Sequence, residues 1–115
     1  MVGTNDISLQ VPPETLLSNL REIVRRLRDA SIIPIAESIL FRGGWLETDN
    51  PTISAVNAEW AAFCAMHGVK FLDLNASLAV NGQLPDAMTY DGVHLTAAAY
   101  QLWRNAIVRV AREVL

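Results

Sequence analysis

Two short apolar runs are set between longer stretches of helical periodicity, and that order limits the fold more than any other feature of the chain. The first run, Ser31–Ala36, contains Ile32, Ile33, Pro34 and Ile35; the second is Val69–Leu72. Both are too brief for helices, and the first is rich in β-branched residues that suit a buried strand. Pro34 cannot donate to a ladder, so the first strand is expected at an edge or a bulge. Ahead of it, Leu16, Leu17, Leu20, Ile23, Val24 and Leu27 recur at spacings of three and four. That spacing predicts a helix over 13–30, opened by proline and Glu14.

Between the runs, Ile53, Val56, Trp60 and Phe63 predict a second helix, with Asn50 as its cap and Gly68 just past its end. A loop with one helical turn is expected over 74–90, then a last helix from about Leu95 to Val114. Met1-Val2 reads as the end of a further strand, running into Gly3-Thr4-Asn5-Asp6. Strand, helix, strand, helix, strand, loop, helix is the order of an α/β domain with a short parallel sheet and crossover helices. Ligands in such sheets gather beyond the carboxyl ends of the strands. Asn5, Ser38, Asp73 and the turn holding Asp91 and His94 are therefore expected along one edge.

The stretch Asp91-Gly92-Val93-His94-Leu95 carries the chemistry. A catalytic histidine needs a carboxylate that fixes its tautomer and steadies the imidazolium. One tight turn supplies both groups here, with Gly92 free to bend the backbone. The same residues have a plainer reading, in which Asp91 and Thr96 are turn and cap residues and His94 is incidental.

Composition narrows the classes. The chain has 115 residues, 51% of them apolar and 18% charged, with a net charge of −3. That balance suits one globular domain, residues 1–115, and gives no nucleic-acid footprint. Arg21, Arg25, Arg26 and Arg28 alternate with Glu22 and Asp29, as on a solvated helix face. Cys64 is the only cysteine, so no CxxC metal site and no internal disulfide is expected. No run approaches the length of a membrane span and no secretory leader opens the chain, so a cytoplasmic protein is expected.

Gly3-Thr4-Asn5-Asp6 resembles the G-x-N-D block of the SGNH hydrolases, the GDSL-type lipases and esterases, and Asp91-Gly92-Val93-His94-Leu95 resembles their D-x-x-H-L block. The two occur in the family's order, separated by helix, strand, helix and strand. The resemblance implies a flavodoxin-like three-layer α/β/α sandwich that hydrolyses carboxylic esters without metal or cofactor. It implies His94 as general base, Asp91 as its orienter, Asn5 as an oxyanion donor, and Gly3 as the residue that keeps the Asn5 loop tight.

The family's Gly-Asp-Ser nucleophile block has no counterpart in this chain. The sequence is thus expected to be the later, partial portion of an SGNH domain. Three outcomes follow. A surrogate serine acts, with Ser38 best placed and Ser8 second, although an ordinary loop hydroxyl is the plainer reading of Ser38. Alternatively His94 activates water, or the chain is an inactive remnant that still folds. A small, short-acyl ester is the expected substrate. A bared strand edge leads us to expect a homodimer or higher oligomer. Trp45 and Trp103 are candidates for an acyl wall, with plain packing as the alternative.

Overall fold

The computed structural model describes residues 1–115. Five α-helices occur: α1 at Thr4–Ser8, α2 at Pro13–Asp29, α3 at Asn50–Met66, α4 at Asn75–Leu78 and α5 at Ala97–Val114. Two strands, β1 at Ile35–Glu37 and β2 at Lys70–Leu72, pair in parallel with Ile35 opposite Lys70 and Glu37 opposite Leu72. A 3-10 helix at Gly44–Asp49 leads into α3, which is the crossover between the strands.

The pleat sends successive residues to opposite faces. Ala36 and Phe71 therefore enter the core under α2 and α3, with Leu16, Leu17, Val56 and Trp60. Ile35 and Leu72 enter the other core, under α5, with Leu74, Ala99 and Val110. Helices thus cover both faces of the sheet, which gives the expected three layers. Leu16 and Leu17 are fully buried, and burying each such side chain contributes about 1.5–3 kcal/mol.

The local signals hold in most places. Gly68 follows α3 in the left-handed region, at φ 63°. Thr96 caps α5 by accepting from the Ala99 N–H. On α2, Arg25 pairs with Glu22 and Asp29, and Arg26 pairs with Glu22, as a solvated face requires.

Three expectations are corrected. The first strand begins at Ile35 and not at Ser31, because Pro34 offers no N–H; Ile32 and Ile33 stay exposed ahead of it. Met1-Val2 is not part of the sheet, which consists of β1 and β2 alone. Asn50 is not a cap but the first residue of α3, and its side chain is committed elsewhere.

That commitment belongs to a wider pattern. Past Ser38, whose N–H still donates to the Leu72 carbonyl at 3.0 Å, the chain runs on to Arg42 without a strand beside it. Asparagine side chains fill the role of a neighbouring strand. Asn57 accepts from the Ile39 N–H at 2.8 Å and donates to the Ile39 carbonyl at 2.7 Å. Asn75 accepts from the Phe41 N–H at 2.8 Å and donates to the Ile39 carbonyl at 2.9 Å. Asn50 accepts from the Arg42 N–H at 2.7 Å and donates to the Arg42 carbonyl at 2.9 Å. An amide carries one donor side and one acceptor side, so each substitutes for a peptide group that buried backbone would otherwise lack.

Candidate active site

The turn before α5 is tied from within. Asp91 Oδ1 accepts from the backbone N–H groups of Val93, at 2.9 Å, and His94, at 2.8 Å. Its second oxygen, Oδ2, is left for the imidazole, and lies 2.6 Å from His94 Nδ1. These contacts hold the Asp91 carboxyl well below its usual range, at about 2, with the His94 backbone N–H as the largest cause. An ionised Asp91 keeps a proton on Nδ1 and leaves Nε2 as the acceptor.

The turn is also pinned from outside. Buried Thr89 donates through Oγ1 to the His94 carbonyl at 2.7 Å and accepts from the Gly92 N–H at 3.0 Å. Gly92 has φ 91°, a region that favours glycine, and its carbonyl accepts from the Gly43 N–H at 3.0 Å.

Asn5 sits in α1 and is exposed. Gly3 precedes it at φ 100°, so close to Ile39 that a Cβ there would lie 2.6 Å from the isoleucine's terminal methyl. Arg42 secures the same helix. Its Nη2 donates to the Thr4 carbonyl at 3.0 Å and to Ser8 Oγ at 2.8 Å, while Nη1 meets Asp49 at 2.7 Å. No residue pattern marks Arg42 as a buried clamp.

Asn5 and His94 line one cleft of about 220 Å³, together with Arg42, Tyr100 and Trp103. The His94 side chain is 80% exposed within it. No group of three or more His, Cys, Asp or Glu side chains converges in a metal-binding arrangement.

The imidazole of His94, held by Asp91, thus shares one cleft with Asn5. The model of the GDSL-like lipase/acylhydrolase family matches residues 1–102. The chain belongs to that family.

A GDSL-like lipase from Bacteroides thetaiotaomicron shares the fold, with a TM-score of 0.87 at 20% identity. The match covers 98% of this chain and 60% of the lipase chain. Two N-acylneuraminate cytidylyltransferases, from Streptococcus agalactiae serotypes V and III, are each 27% identical over 104 residues. Those matches take in 90% of this chain but 25% of either relative, so the chain spans a quarter of their length.

Within this GDSL-like chain the structure separates the remaining candidates. Ser38 lies just past β1, as expected, but is only 1% exposed and does not line the His94 cleft. Its Oγ accepts from the Leu74 N–H at 2.9 Å, joining the segments that follow β1 and β2. Ser8 is held by Arg42. Asp73 lines a different cleft and accepts from the Asn75 N–H at 3.0 Å, so it closes a turn instead of joining the site. Trp45 is 82% exposed and outside the cleft, whereas Trp103 is on its wall.

Proposed function

We propose that this chain hydrolyses small carboxylic esters, with His94 as general base, Asp91 as its orienter and Asn5 as the donor to the oxyanion. The observation that carries the reading is the 2.6 Å contact between Asp91 Oδ2 and His94 Nδ1, in a cleft that Asn5 also lines. The nucleophile in this reading is water, because the imidazole is open to solvent and Ser38 is not. Nε2 takes one proton as the water oxygen bonds to the ester carbonyl carbon. The carbonyl pair moves onto oxygen and meets the Asn5 amide, a donor worth ~3–4 kcal/mol in such sites. Collapse breaks the bond to the alkoxide, which leaves with the proton from Nε2 as an alcohol. The 220 Å³ cleft fits a short acyl group.

The test is hydrolysis of 4-nitrophenyl acetate by the wild type, His94→Ala and Asn5→Ala, beside intact mass after a fluorophosphonate probe. We expect turnover that falls at least ~100-fold without the imidazole and ~100-fold without the amide, and no probe adduct. Equal rates in all three proteins sink the reading. An adduct on one serine, Ser38 included, would put that serine in the place of water.

A second observation favours self-association. The sheet has only two strands, and Met1, Val2, Ile23, Ile32 and Ile33 are all exposed. Open edges and apolar surface are usually covered, so a homodimer or higher oligomer is the proposed state. Sedimentation at micromolar concentration decides it, and a clean monomer counts against it.

A further inference from the structure

The part of the cleft that α5 supplies is more specific than an apolar lining needs to be. Tyr100 and Trp103 are one helical turn apart on α5, with ring centroids 5.6 Å apart and planes 23° from parallel. The two rings stack on each other, so they line the cleft as one aromatic cluster. Tyr100 is 53% exposed, although it lies beside the base and not on the distant face of the helix. Trp103 is locked: its Nε1 donates to Glu37 Oε1 at 2.6 Å, and Glu37 ends β1. Its polar edge is fixed, so the half-buried indole holds one orientation with Tyr100 stacked against it. Leu40 and Leu95 add apolar lining.

Resting on the ester-hydrolase reading, we infer that the Tyr100–Trp103 surface is a subsite for an aromatic ring carried by the ester. Size agrees with chemistry. An apolar cavity of about 150 Å³ holds a benzene ring, and this cleft offers about 220 Å³. That leaves room for a ring together with the carboxyl group that must reach His94. Offset stacking on the pair favours an aromatic ring over a saturated ring of the same size. The ring lies on the acyl side or the alcohol side of the ester, and the two are separable by experiment.

The probes are benzoate and phenol, which put the ring on the acyl and leaving-group sides, with cyclohexanecarboxylate and cyclohexanol as saturated counterparts. The readout is the indole N–H resonance of Trp103 in the ¹⁵N-labelled chain, assigned with Trp103→Phe. We expect a saturable shift of that resonance, with Trp45 unmoved, and affinity for one aromatic probe about threefold or more above its saturated partner. Tyr100→Leu is expected to erase that preference while the chain stays folded, since Tyr100 is exposed. The probe with the larger preference names the side of the ester. An unmoved Trp103 resonance, equal shifts at Trp45, or equal affinity for ring and saturated analogue overturns the inference. Binding needs no turnover, so a shift in an inactive chain overturns the hydrolase reading alone, and turnover without a shift overturns the subsite alone.

Discussion

Gly43 and Gly92 interlock. The Gly43 N–H donates to the Gly92 carbonyl at 3.0 Å, and a Cβ on Gly92 would lie 2.5 Å from the Gly43 oxygen. The turn that carries Asp91 and His94 therefore hangs on a second glycine 49 positions earlier. Gly92→Ala combines a left-handed backbone with a backbone clash, and is expected to cost at least about 3 kcal/mol. Gly82→Ala is the control. Its φ is 76° but nothing lies within 4 Å of the added carbon, so about 1 kcal/mol is expected. Urea denaturation of the two variants gives both numbers; equal losses would mean that the interlock is absent in solution.

The Asp91 carboxyl gives a pH prediction with a definite sign. Its folded value is near 2 against an ordinary 3.8, through the His94 N–H first, then the imidazole, then the Val93 N–H. A group lowered on folding adds stability above its unfolded value and loses it as pH falls through the folded one. The turn is thus expected intact at pH 4 and to loosen between about pH 4 and pH 2. Carbon-detected NMR of the Asp91 carboxyl is expected to give a midpoint near 2, and a midpoint at 3.8 would contradict the hydrogen bonds described.

Asn75 is a third test. It is buried and makes bonds to two different backbone groups, Phe41 N–H and Ile39 carbonyl. Asn75→Ala leaves both without a side-chain partner and is expected to cost about 2–4 kcal/mol. Asn75→Asp is expected to be no milder, because a carboxylate cannot donate to Ile39. Asn57→Ala is expected to cost less, since Asn57 is only half-buried. The ranking can be read from denaturation midpoints.

Cys64 is fully buried, and burial pushes its thiol up to about 11. It is expected to stay protonated and to resist iodoacetamide at pH 8, reacting on the order of 100-fold more slowly than in denaturant. Fast labelling of the folded chain would place Cys64 at the surface.

How far these features were legible differs by kind. The long helices were readable, because burial of one face forces a period of three and four on Leu16 through Leu27. The Asp91–His94 contact was readable too, since both partners belong to one turn. The short strands were legible in existence but not in extent: Pro34 trims β1 to Ile35–Glu37, and nothing in Ile32 or Ile33 announces that they stay exposed. The position of Ser38 just past β1 was legible but its depth was not, because a serine reads the same whether it faces solvent or ties two segments together. Gly43, Arg42, Asn57 and Asn75 were missed as positioning residues. Their partners are set by tertiary approach, and the only sequence clue was an amide at position 57 between apolar Val56 and Trp60.

The three asparagines also bear on the order in which the molecule assembles. They join Ile39 to Asn57 over 18 residues, Phe41 to Asn75 over 34, and Arg42 to Asn50 over 8. Loop closure grows costlier with span, so the local link forms readily and the longest ones wait for distant chain to arrive. Longer ties still join Gly92 to Gly43 and, over 66 residues, Trp103 to Glu37. A nascent chain still short of residue 92 already holds Asn5 and Arg42, but lacks the turn that brings the imidazole to them. The cleft draws its lining from Met1 through Trp103, so nearly the whole chain must be in place before it is complete.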